Sequence, residues 1–160
     1  MRTLSFALLA LMMLACQPPA EEEMAPARTA AEAQSEFEAL RAEWQNLANA
    51  GDGAAVAGFY TTDAVIIEPD GVIYKGQDAI RGYFEGAFAG ASGLVITTTE
   101  HFVHGDVVAA YGTFSQTVEG VEGPMAMSGM WQTVSFYQAD GSMKIRLHQN
   151  MIPAQLGPPM

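Results

Sequence analysis

The chain has 160 residues, about half of them apolar, a formal net charge of -11 and one cysteine. That length and apolar content fit a single globular domain with a modest core and exclude a disordered chain. The seven basic residues are scattered, so no basic patch awaits phosphates; nucleic acid is excluded as a partner, and an anionic surface would repel the protein.

The chain opens on MRTLSFALLALMMLACQPPAEEE, with Arg2 ahead of an apolar run from Leu4 to Ala15. About 12 apolar residues fall short of the roughly 20 that cross a bilayer, but they suit a secretory signal. Cys16 directly after Ala15 resembles the cleavage site of a bacterial lipoprotein, where a lipidated cysteine becomes the new N-terminus. Met13 and Leu14 stand where that pattern favours Leu and a small residue. The resemblance implies a signal over residues 1–16 and a lipid on Cys16. The protein would then sit in the cell envelope, touching a membrane through its anchor alone. Gln17, rather than Asp, after the cysteine implies the periplasmic face of the outer membrane in a Gram-negative host. An ordinary signal peptide with an incidental cysteine is the alternative. A lone cysteine also leaves no intrachain disulfide and no thiolate zinc cluster. Residues 17–30, rich in Pro, Ala and Glu, read as an extended tether.

The folded domain is expected over residues 31–153, its first helix beginning near Thr29. Phe37, Leu40, Trp44 and Leu47 recur at spacings of three and four, the apolar stripe of that helix, and Gly51 ends it. Asp52 can cap a short second helix, Ala54 to Tyr60. AVIIE-PDG-VIYKG reads as a hairpin about a Pro-Asp-Gly turn. Ile80, Phe84 and Phe88, four apart, mark a third helix. Four strands follow: Leu94–Val103, Val107–Val118, Met127–Gln138 and Met143–Ile152, with a tail over residues 154–160. Helices early and strands late indicate the α+β class.

The order and punctuation of these elements resemble the nuclear transport factor 2-like superfamily, also called SnoaL-like or ketosteroid-isomerase-like, in its bacterial branch of unknown function. The resemblance rests on Trp44, Gly51-Asp52, Phe59-Tyr60, Asp63-Ala64-Val65, Pro69-Asp70-Gly71 and Gly76-Gln77-Asp78-Ala79-Ile80. Gly129-Met130-Trp131-Gln132-Thr133-Val134 and Asp140-Gly141-Ser142-Met143-Lys144-Ile145 extend it over about Glu36 to Pro153. It implies a curved antiparallel sheet wrapped into a cone around three helices, with Phe59 and Tyr60 near the cone mouth. It does not fix the function, since this fold hosts enzymes, binders and assembly domains. In one place the chain departs from the family: His148 and Asn150 stand where an acidic residue and a Trp are frequent.

Enzymes of this fold use a carboxylate base in an apolar cavity with a tyrosine or protonated acid at the oxyanion. The candidate bases are Asp63, Glu68, Glu100, His101 and His148; the candidate donors are Tyr60, Tyr83 and Tyr111. Asp63 also fits a turn-stabilising role and Glu68 a solvated one beside the hairpin. Only one of the neighbours Glu100 and His101 can face the cavity. Strict alternation puts Met143, Ile145, Leu147, Gln149 and Met151 on the core face of the last strand, and His148 and Asn150 outside. The resemblance implies the reverse, and a bulge would reconcile the two. The pocket set is therefore Tyr60, Tyr83, Tyr111, Trp131, His148, Gln149 and Asn150, with Asp63, Glu100 and His148 the catalytic candidates. Trp44 and Phe59 are expected in the core and outside the site.

His101 and His104 are three apart on a strand and face opposite ways, so no metal is expected. Without a phosphate loop, a dinucleotide fingerprint or a Gly-x-Ser-x-Gly elbow, no cofactor is expected. The favoured function is an envelope lipoprotein binding a small, largely apolar ligand in its cone. An isomerase- or cyclase-type enzyme and a ligand-free dimeric assembly module are the alternatives. A homodimer is expected through the long strands, because MSGMWQTVSFY is apolar on both faces.

Overall fold

The computed structural model describes residues 28–152. Helix α1 (Ala30–Asn49) starts at a capping box: the Thr29 hydroxyl accepts from the Glu32 amide while the Glu32 carboxylate accepts from the Thr29 amide. Ala33, Phe37, Trp44 and Ala48 form its buried face. Arg28 is already part of the fold, its guanidinium 3.9 Å above the Tyr137 ring and 3.1 Å from the Gly141 carbonyl. Contacts of the fold thus reach residue 28, within the 17–30 segment.

Gly51 (φ +76°) turns the chain out of α1, and Asp52 caps α2 (Gly53–Ala57) through the Ala55 amide. Strand β1 (Tyr60–Ile67) turns at Pro69-Asp70-Gly71 into the three-residue β2 (Ile73–Lys75). Helix α3 (Gln77–Ala89) follows, burying Ile80 and Phe84. Four long strands complete the domain: β3 (Ala91–His104), β4 (Val107–Gly120), β5 (Gly123–Tyr137) and β6 (Met143–Met151).

All six strands form one sheet in the order β2-β1-β6-β5-β4-β3. The α+β class, the three helices and the curved sheet are as expected. One pair departs from the antiparallel rule: β1 runs parallel to β6. Helix α1 packs across β3, β4 and β6; α3 packs on α2, β1, β2 and β3. Strand β3 carries a register shift between Thr98 and Glu100. Gly112 of β4 lies opposite, so close to the Thr97 carbonyl that a Cβ there would collide with it.

Two apolar clusters stabilise this arrangement. One gathers Trp44, Val56, Tyr60, Ile66, Phe84 and Ile145; the other gathers Phe37, Val108, Ala110, Trp131 and Met143. They meet beneath α1, and the space between them holds the candidate site.

Candidate functional site

The last strand decides what the cone contains. In β6 the pairing with β5 jumps from Ser135↔Ile145 to Val134↔Leu147, leaving Arg146 as an extra residue. A one-residue insertion reverses the alternation, because side chains switch faces with period two. Met143 and Ile145 point inward before the bulge; His148 points inward after it, and all three are buried.

His148 then organises a directed string of hydrogen bonds. Glu68, at the end of the β1 hairpin arm, can only accept, and its Oε1 lies 2.9 Å from Asn150 Nδ2. That fixes the Asn150 amide so that Oδ1 faces His148 Nε2 at 3.1 Å. Nε2 therefore carries the proton, Nδ1 is an acceptor, and the Tyr60 hydroxyl 2.7 Å away donates to it. Every donor in the string Tyr60, His148, Asn150 points toward the Glu68 carboxylate. Burial pulls the His148 imidazole down to about 4, against the opposing pull of the Asn150 bond, so the ring is neutral at pH 7. Burial raises the Tyr60 phenol well above its ordinary value; the neighbouring Trp44 indole N–H opposes this only in part. Tyr83 is also raised, first by burial and then by the Glu68 carboxylate beside it.

The string runs along the wall of a cavity of about 290 Å³. Phe37, Leu40 and Trp44 of α1 form one side and Tyr83, Phe84 and Phe88 of α3 another. Leu94 and Ile96 of β3, Phe114 of β4 and Trp131 of β5 close it from the sheet. Trp44 packs edge-on against Phe84 at 5.5 Å and Phe88 at 5.9 Å, so one aromatic layer serves both core and cavity. Among the described residues Arg41 is the one cation on this wall; its Nε lies 2.8 Å from Glu38 and its Nη1 2.7 Å from the Ile96 carbonyl. Among the described residues no group of three His, Cys, Asp or Glu has metal-ligand geometry, and no helix is long and apolar enough to cross a membrane.

Against protein families, the model of the SnoaL-like domain matches residues 28–148. The chain belongs to the SnoaL-like domain family. A comparison with curated protein sequences gave no match. Several solved structures share the fold at low identity. A cystatin-like domain of unknown function from Nostoc punctiforme is 19% identical, covering 81% of this chain and 82% of its own, with a TM-score of 0.68. A ketosteroid isomerase-like protein from Erwinia carotovora is 16% identical, covering 78% and 96%, with a TM-score of 0.66. A protein of unknown function from Mycobacterium tuberculosis is 24% identical, covering 78% and 73%, with a TM-score of 0.66.

In this SnoaL-like domain Tyr83, Trp131, His148 and Asn150 of the expected pocket set line the cavity. Tyr60 does not stand at the cone mouth. It is 1% exposed, pairs beside Ile145 in the sheet and stacks on His148, which stands between it and the cavity. Tyr111 and Glu100 bond to each other at 3.1 Å on the outer face, opposite the helices. Gln149 faces outward too, accepting from Gln132 at 2.7 Å, since the bulge turns it away from the cavity. Asp63 is solvated and paired with Arg146 at 3.1 Å, which removes it from the catalytic candidates with Glu100. His101 faces inward as the pair rule demands, but it packs on Phe37 and bonds Glu38 away from the cavity wall.

Two corrections go the other way. Glu68, read as solvated, sits half-buried on the rim because Asn150 draws its carboxylate inward. Trp44, read as core alone, is 8% exposed and lines the cavity as well. The aromatic lining residues Phe88 and Phe114 went unnamed as site residues, although the i, i+4 stripe of α3 already placed Phe88 beside Phe84.

Proposed function

We propose that this protein binds a small, largely apolar molecule in its cone. The observation that carries the reading is the cavity of about 290 Å³, walled by aromatic and aliphatic side chains with one polar string at its rim. Apolar pockets with a few convergent polar groups are the usual form of small-molecule sites. A cone filled by its own side chains, the premise of the assembly reading, does not accord with that volume. In this proposal Cys16 carries a lipid that holds the domain in the cell envelope, and two copies pair through the outer face of β3 to β5. There Val95, Phe102, Met130 and Phe136 are exposed.

Trp44 and Trp131 are the only two tryptophans and both line the cavity, so their fluorescence reports directly on its contents. Titration with N-phenyl-1-naphthylamine should quench it saturably at one molecule per chain. Ala87→Phe, which narrows the wall at α3, should weaken the binding; an unsaturable or absent response sinks the proposal. Native mass spectrometry of the purified protein would show a co-purifying ligand and the oligomeric state together.

A second reading, an isomerase- or cyclase-type enzyme, is favoured by one feature: a carboxylate and a protonated tyrosine share the rim. Both His148 nitrogens are already bonded, so the free basic atoms belong to Glu68 and the adjacent acid is Tyr83. Exchange of the α-protons of 1-tetralone in D₂O, followed by NMR, tests this. Protein-dependent exchange lost in Glu68→Gln supports an enzyme; exchange at the solvent rate removes it.

A further inference from the structure

The polar groups along the cavity rim converge on one acceptor, the Glu68 carboxylate. The Tyr60 hydroxyl is committed to His148, the His148 N–H to Asn150, and the Asn150 amide to Glu68. The Trp131 indole N–H is committed to the Thr113 carbonyl at 3.2 Å. The Trp44 indole N–H and the Thr133 hydroxyl have no partner among the described residues, but both atoms are fully covered by their neighbours. Gln116 turns its amide to the Met127 sulfur at 3.6 Å. The string ends on the Glu68 carboxylate, which keeps lone pairs after accepting from Asn150. Charge acts the same way. Arg41 is neutralised by Glu38, Glu68 is not paired to a cation among the described residues, and the chain as a whole carries -11.

We propose, resting on the binding reading above, that this cavity selects ligands by hydrogen-bond polarity. It takes an apolar body bearing a donor, a hydroxyl or an amine, that bonds Glu68, and it rejects carboxylates of the same size. A carboxylate entering the rim would bring a second negative charge against Glu68, and the two donors nearest that carboxylate, the Asn150 amide and the Tyr83 hydroxyl, already face it. A hydroxyl or ammonium group meets an acceptor already oriented by Asn150. Aromatic faces of Trp44, Tyr83, Phe84 and Phe88 cover the body of either.

The test uses three molecules of nearly one shape: 1-naphthalenemethanol, 1-naphthalenemethylamine and 1-naphthoate. Each displaces N-phenyl-1-naphthylamine from the purified full chain at pH 7.5. The alcohol and the amine should bind at least about tenfold more tightly than the carboxylate, the scale of one unmade charged hydrogen bond. Glu68→Gln should shrink that gap to within about threefold, while Glu43→Gln, an equal charge change on the exposed side of α1, should leave it intact. Naphthoate binding as tightly as the alcohol in the wild type overturns the polarity claim without touching the binding reading, and needs no variant. A gap that survives Glu68→Gln overturns the assignment to Glu68. If the naphthylamine probe itself fails to bind, the binding reading falls and this proposal with it.

Discussion

Acidification should destabilise this fold through His148, and the size of the effect follows from its burial. The imidazole titrates near 6.5 when exposed and at about 4 in the folded chain, where desolvation opposes the charged form. The folded pKa is depressed, so between these values the unfolded chain binds a proton that the folded chain refuses. The stabilisation is complete above pH 6.5 and is lost as pH falls toward 4. A pKa gap of about 2.5, at about 1.4 kcal/mol per unit, gives about 2 kcal/mol lost by pH 5 and about 3 kcal/mol at the limit. Carboxylates held low in the fold, Glu38 among them, lose stability in the same direction, so the reading must be differential. Urea titrations of wild type and His148→Gln at pH 8 and pH 5 isolate the term. The glutamine can still accept from Tyr60 but has no proton to take up. Wild type should lose about 2 kcal/mol more than the variant between the two pH values. Equal losses would mean that the ring is wet or already charged, and the directed string from Tyr60 to Glu68 would be wrong.

Trp44→Ala should cost roughly 3–5 kcal/mol in a denaturant titration, the range for deleting a buried aromatic, and should also abolish saturable naphthylamine binding. Gly112→Ala should be among the most destructive small substitutions, because its methyl group meets the Thr97 carbonyl; loss of the cooperative thermal transition checks it. Cys16→Ser should end palmitate incorporation and release the protein from the membrane fraction, and identical fractionation of variant and wild type would remove the anchor. Light scattering should give a dimer that Met130→Glu converts to a monomer; a wild-type monomer at micromolar concentration would leave the apolar outer face to another partner.

The fold was legible because its signals are local. The helix start near Thr29, the three-and-four stripe through Phe37 and Trp44 and the turn at Pro69-Asp70-Gly71 each rest on interactions within a few residues. The parallel pairing of β1 with β6 was not legible in the same way. It joins segments about 80 residues apart, and the backbone hydrogen bonds that hold it leave no mark in the sequence.

The site shows why parity alone misleads. Counting by twos from Met143 puts Gln149 inside and His148 outside, and the rule is sound for an unbroken strand. One added residue at Arg146 inverts it, and nothing in MKIRLHQN is the glycine that often announces such an insertion. The family pattern, which places residues 148 and 150 at the pocket, carried the information that periodicity lacked. Glu68 was misread for a related reason. A carboxylate beside a hairpin turn is ordinarily solvated, and what draws this one to the rim is the Asn150 amide, 82 residues further along the chain. Asn150 is placed there by the same bulge. A single register shift thus assembles the polar string, aims its donors at Glu68 and leaves the cavity with an acceptor at its rim. Polar pockets built on bulged strands should in general be read from the register and not from the alternation.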